Sequence, residues 1–209
     1  MVISFYGEGC FKIQSGDFTI LTDPFESSSG LTPPRFKSDI ILKTLTPFPI
    51  TNQPINQLIN QLIIGPGEYD IKDASVVGFK LKKESSDKFL KTVYIVKIEG
   101  IKLCFLGHIS GAPEPETAER LEEIDVLFAP AGGKPFLEPE AAIKLVKQIE
   151  PKIIIPSFFK VPGLKRKAGD LKPFLEEFDS GKKEPEEKLT IKKKDVAEIK
   201  KTELVVLKI

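Results

Sequence analysis

Short apolar runs, set close together and separated by glycine, proline or polar turns, constrain this chain more than any other feature. Residues 2–6 and 10–14 read as two strands around Gly7-Glu8-Gly9. Phe18-Thr19-Ile20-Leu21-Thr22 reads as a third, stopping at Asp23-Pro24. A turn-rich loop over 26–38 carries Ser27-Ser28-Ser29-Gly30 and Pro33-Pro34, and Ile40-Ile41-Leu42 follows as a short buried strand. These runs have strand length, and a helix needs a longer stretch to bury an apolar stripe.

The middle of the chain is less regular. Pro47, Pro49 and Pro54 break regular structure. Ile55-Asn56-Gln57-Leu58-Ile59-Asn60-Gln61-Leu62 repeats an apolar-Asn-Gln unit, and its apolar residues at 55, 58, 59 and 62 match one helix face. Gly65-Pro66-Gly67 is a turn and 76–81 a strand, followed by a polar loop at 83–91. Runs 92–98 and 102–106 flank Glu99-Gly100 as a β-hairpin.

Strand and helix then alternate. A helix is expected over 114–123, a strand over 125–129 and a tight turn at Gly132-Gly133. A second helix over 138–150 carries the stripe Ala141, Ala142, Leu145, Val146 and Ile149. Ile153-Ile154-Ile155 is a buried strand, 171–178 a helix and 202–209 a last strand. Lys and Glu interleave over 181–201, the pattern of a solvated charged face. Hairpin-rich β structure followed by alternating strand and helix predicts an α/β sandwich in one domain over 1–209.

Composition narrows the function classes. Thirty-one Lys and Arg against thirty Asp and Glu leave a net charge of +1, with no broad field for nucleic acid or an anionic membrane. No apolar stretch is long enough to span a bilayer, and Met1-Val2-Ile3-Ser4-Phe5-Tyr6-Gly7 lacks the pattern of a signal peptide. Cys10 and Cys104 sit in apolar runs without CxxC spacing, as free buried thiols do, and a cytoplasmic location is expected.

Seven pieces in order carry a resemblance. They are Gly7-Glu8-Gly9-Cys10-Phe11, Leu21-Thr22-Asp23-Pro24-Phe25, Gly65-Pro66-Gly67-Glu68-Tyr69, Leu103-Cys104-Phe105-Leu106-Gly107-His108, Ile124-Asp125-Val126-Leu127, Pro130-Ala131-Gly132-Gly133 and Pro151-Lys152-Ile153-Ile154-Ile155-Pro156. Over nearly its whole length the chain resembles the metallo-β-lactamase superfamily, specifically the small zinc-dependent hydrolases related to the ascorbate-6-phosphate lactonase group. The resemblance implies a four-layer αββα sandwich, two packed sheets flanked by helices.

The same resemblance implies an H-x-H-x-D-H motif just after a buried strand, where imidazoles and a carboxylate hold zinc or manganese and activate water. In this chain those positions fall on Leu45, Pro47, Pro49 and Ile50, none of which ligates through its side chain. Further ligand positions fall near Lys82 or Lys83, on Phe158 and on Glu8, and His108, the one histidine, stands where the family has aspartate. Asp23 is retained. The expectation is therefore a non-catalytic protein with no metal cofactor. Its former metal pocket would be lined by Asp23, Leu45, Pro47, Pro49, Ile50, Lys83, His108 and Phe158, with Phe159 adding apolar surface.

Two other readings stay open. Asp23, His108 and Glu8 could form a relocated facial triad for a metal-dependent hydrolase of a phosphodiester, lactone or ester. Alternatively the chain serves as an interaction module or homo-oligomer, using apolar surface such as Phe25, Phe36 and Phe48. The expected partner is a small molecule or a protein. Ser110 beside His108 lacks a third, orienting group, and neither Gly65-Pro66-Gly67 nor Gly132-Gly133 has phosphate-loop spacing.

Overall fold

The computed structural model describes residues 1–49, 59–178 and 184–209. Two sheets face each other across one core. The first runs through β1 (Val2–Gly7), β2 (Cys10–Ser15), β3 (Phe18–Thr22), β4 (Ser38–Lys43) and β6 (Ile59–Ile64), with β13 (Leu189–Thr190) on the far side of β1. The second runs, from one edge, through β14 (Glu203–Leu204), β12 (Ile153–Ser157), β11 (Val126–Pro130), β10 (Ile101–Phe105), β9 (Phe89–Ile98), β8 (Ala74–Lys80) and β7 (Gly67–Ile71). The short β5 (Leu45–Pro47) pairs with the start of β9.

Alternation along the strands builds the layers, because successive side chains point to opposite faces. Ile3, Phe5, Phe11, Ile13, Ile20, Ile40 and Leu42 point inward from the first sheet. Val76, Tyr94, Val96, Leu103, Phe105, Phe128 and Ile155 meet them from the second. Val93, Ile95, Cys104, Leu127 and Ile154 point the other way and are covered by α2 (Pro139–Ile149) and α3 (Lys172–Glu177). The outer face of the first sheet carries a smaller cluster, Cys10, Leu21 and Ile41, under Tyr6, Phe25 and Phe36. This is the sandwich that the strand pattern and the resemblance predict.

Several local expectations are corrected. Residues 59–62 are not helical: β6 lies parallel to β4, from Ser38↔Ile59 to Lys43↔Ile64, and that ladder overrides the helix-like spacing. The remainder of the repeat, 55–58, lies outside the described residues. The helix expected over 114–123 is the single turn α1 (Pro115–Ala118). Glu123 adopts φ 55°, which no helix continues through, while Leu121 and Ile124 turn under the second sheet. In α2 the buried residues are Ala142, Ile143, Leu145, Val146 and Ile149, so Ile143 takes the place expected of Ala141.

The strand expected over 202–209 narrows to β14, with a bridge from Leu207 to Glu186. The charged stretch 184–201 does more than face solvent. Its Ile191 and the Val196 of α4 (Lys193–Glu198) are buried and close one end of the core. Among the described residues no helix is long and apolar enough to cross a membrane.

Candidate functional site

The site forms where the chain changes sheets. β4 ends at Lys43 in the first sheet and β5 begins at Leu45 against β9 of the second, so Thr44 is the corner. The Thr44 carbonyl accepts from the Thr92 amide at 2.9 Å, which ties the corner to β9. Asp23, just past β3, donates its amide to the Leu42 carbonyl at 2.9 Å. Loops after β10 and β12 bring His108 and Phe158 to the same end, and the β1–β2 turn brings Glu8. Carboxyl ends of strands are where open α/β sheets place ligands.

Hydrogen bonds bind Asp23, Thr44 and His108 into one chain. Asp23 Oδ1 accepts from the Thr44 amide at 2.8 Å and Oδ2 from the Thr44 hydroxyl at 2.5 Å. Thr44 Oγ1 lies 2.7 Å from His108 Nδ1. A hydroxyl has one proton, and here Asp23 takes it, so Nδ1–H donates to Thr44 Oγ1. That leaves the lone pair of the neutral imidazole on Nε2. Burial pushes the His108 pKa below its ordinary value; the Asp23 charge opposes this and Lys91 adds to it. Gly107 allows the close approach: a Cβ there would overlap Thr44, and φ is 58°.

Aromatic rings seal the other side of the imidazole. His108 meets Phe158 edge-on at 4.7 Å between centroids and Phe136 at 5.5 Å. Phe136 and Phe158 lie 4.4 Å apart. Phe158 has φ 56°, an uncommon conformation for a bulky residue, held by the hydrogen bond that its amide N–H donates to the Glu8 carbonyl at 2.9 Å. Its ring occupies the space that Gly9 leaves for want of a side chain.

Two cations at the site, Arg166 and Lys91, are paired with carboxylates. Arg166 binds Glu8 in a two-pronged contact, Nε to Oε1 at 2.8 Å and Nη2 to Oε2 at 2.7 Å, and covers the Phe136 ring at 5.0 Å. Lys91 contacts Glu84 at 2.8 Å and Ser110 Oγ at 3.2 Å. Burial pushes the Glu84 carboxyl up, but its bonds from Lys91, Ser110 and Gly111 outweigh that and hold it low. Lys43 Nζ donates to the Pro24 carbonyl at 3.0 Å.

A cavity of about 660 Å³ opens over these groups. Asp23, Leu45, Pro47, His108 and Phe158 all line it, as do Glu8 and Arg166. Lys83 and Pro49 are not on its wall. Lys83 sits on a short 3₁₀ turn with its amide on Glu114 at 2.7 Å, because the β8–β9 loop is drawn aside by the bonds of Glu84 to Ser110 and Gly111. Lys91 of β9 stands on the cavity wall where Lys83 was expected, together with Lys43, Lys88 and Arg166. Pro49 is exposed, and Ile50 lies outside the described residues. Phe159 belongs to the core, stacked on Phe5 at 5.5 Å. Phe25 and Phe36 are partly buried on the outer cluster, whereas Phe48 is exposed.

Sequence reasoning missed Thr44, Lys43, Phe136 and Arg166. Only Thr44 left a signal, as a hydroxyl two positions after the predicted buried strand Ile40-Ile41-Leu42. Arg166 reaches Glu8 across 158 positions of sequence, a contact that no spacing rule reveals.

The sequence pattern of the Beta-lactamase superfamily domain matches residues 2–157, and the chain belongs to that family. A UPF0173 metal-dependent hydrolase of Natranaerobius thermophilus is 23% identical over 183 residues, covering 75% of this chain and 82% of the relative. A protein of Thermotoga maritima assigned to the Zn-dependent hydrolases of the metallo-beta-lactamase superfamily superposes with a TM-score of 0.80 at 27% identity, covering 99% of this chain and 98% of that one. Igni18, a metallo hydrolase of Ignicoccus hospitalis, shares the fold with a TM-score of 0.63 at 15% identity, over 91% of this chain and 98% of its own.

The relatives' names imply a metal, so the fit of the residues matters. Among the described residues no group of three or more His, Cys, Asp or Glu side chains could hold a metal ion. Glu8 is engaged by Arg166 and Asp23 by Thr44, and Lys43 and Lys91 line the same cavity. A divalent cation needs converging, deprotonated donors, and this donor set does not fit one.

Proposed function

We propose that the chain is a metallo-β-lactamase-fold binding protein that does not carry out metal-assisted hydrolysis and holds a small molecule in the cavity at the sheet corner. One observation carries the reading: Asp23, Thr44 and His108 satisfy one another, so the floor offers a hydrogen-bonded surface in place of a ligand set. The apolar walls at Leu45, Pro47, Phe89 and Phe136 support it, since small-molecule sites are concave, largely apolar and marked by a few polar groups. The test is elemental analysis of protein loaded with zinc or manganese and then desalted. Metal well below one ion per chain is expected, and stoichiometric metal at this cavity overturns the reading.

A relocated hydrolytic site has one observation in its favour. Thr44 and Asp23 orient His108 as a base is oriented in other hydrolases, with Nε2 left for the cavity. Turnover of a p-nitrophenyl ester or phosphodiester that disappears in both His108→Ala and Asp23→Ala would support this alternative. Turnover that persists in both variants would mark a contaminant.

A further inference from the structure

We infer that the cavity binds an aromatic carboxylate, with the carboxylate on Lys43 and the ring against Leu45 and Phe136; this rests on the small-molecule reading above. The walls supply the apolar half of the argument. Leu45, Pro47, Phe89, Phe136 and Phe158 present flat or aliphatic surface, and about 660 Å³ accommodates a two-ring ligand.

Charge supplies the other half. Four cations line the cavity, Lys43, Lys88, Lys91 and Arg166, against two carboxylates, Glu8 and Asp23. Cations remain in excess even when Glu84, bonded to Lys91, is added. Arg166 is engaged in both prongs by Glu8, and Lys91 by Glu84 and Ser110. Neither Lys43 nor Lys88 makes an ion pair among the described residues, but Lys88 is exposed, whereas Lys43 is half-buried and makes one hydrogen bond, to the Pro24 carbonyl. An ammonium has three donors, so two are left for a ligand. A partly desolvated cation is stabilised by a matching anion.

The head group is a monoanion by the same reasoning. Phosphate recognition favours an open guanidinium fork or a helix N-terminus. Here the fork of Arg166 is closed by Glu8, and among the described residues no helix start lines the cavity. One ammonium with two free donors matches one carboxylate.

The chain has one histidine, so the His108 Cε1–H resonance reports on the cavity without ambiguity. The probes are 2-naphthoate, its neutral counterpart 2-naphthalenemethanol, and 2-naphthyl phosphate. The expected result is a saturable shift with 2-naphthoate and binding about tenfold weaker or more for the neutral alcohol, the size of a charged hydrogen bond. Lys43→Gln should weaken 2-naphthoate by a similar factor and leave the alcohol unchanged, while Lys43→Arg should retain most of the affinity. Equal affinity for alcohol and carboxylate, an unchanged Lys43→Gln, or no saturable shift overturns the assignment. Tighter binding of the phosphate moves the ligand to a different class and likewise overturns it. If Lys43→Gln does not fold, the comparison of the three probes on the unmodified chain decides. Failure here in a protein that holds no metal leaves the broader reading standing, whereas stoichiometric metal removes that reading by itself.

Discussion

The Thr44 hydroxyl lies 2.7 Å from His108 Nδ1, which joins the corner between the two sheets to the loop after β10. Thr44→Val keeps the shape and removes the hydroxyl, leaving Asp23 Oδ2 and His108 Nδ1–H without that partner. We expect a loss of about 2–4 kcal/mol, from two partly buried polar groups stranded at once. Thr44→Ser should restore most of it. Urea unfolding of the three proteins checks this.

The protonation of His108 gives a pH dependence with a definite sign. In the unfolded chain the imidazole takes a proton near pH 6.5. In the folded protein burial lowers that value, with Asp23 and Glu8 opposing and Lys91 and Lys43 reinforcing. The unfolded state therefore binds more protons in the window between the two pKa values. The stability contributed by the neutral imidazole is full above about pH 6.5 and is lost as pH falls through the folded pKa. Thermal midpoints measured across that window should fall with pH in the unmodified protein and fall less in His108→Gln.

The ring of Phe158 fills the space beside Gly9. Gly9→Ala should cost about 1–3 kcal/mol, as overpacking does. The double variant Gly9→Ala, Phe158→Leu should recover part of that loss, because the smaller side chain gives up the disputed volume. A strictly additive pair would show that the two residues do not meet.

Zinc provides a direct thermodynamic contrast. A ligand present at about a hundred times its Kd stabilises the folded state by about 2.7 kcal/mol. With no fitting donor set among the described residues, added zinc should leave the thermal midpoint where it was. An upward shift that disappears in Asp23→Ala would place a metal at the cavity floor.

Pattern made most of the sandwich legible. Period-two alternation in Ile3, Phe5, Phe11 and Ile13, and the hairpin at Glu99-Gly100, follow from local rules that act over a few residues. β6 was not legible, because its helical spacing yields to a ladder with β4 that only the folded chain supplies. The one-turn α1 was hidden for a similar reason: Leu121 and Ile124 leave the helical path to reach a core built by distant strands.

The site divides in the same way. The sequence by itself determined which side chains were available: one histidine, the carboxylates of Glu8 and Asp23, and no side-chain donor at Leu45, Pro47 or Phe158. It also determined the glycines at 9 and 107 that permit close approach. Only the tertiary structure decided that Thr44 would stand between Asp23 and His108, that Arg166 would engage Glu8, and that Lys91 in place of Lys83 would reach the cavity. Those pairings join residues 21, 64 and 158 positions apart. Their energies depend on distance and burial in the folded chain, quantities that local sequence does not encode.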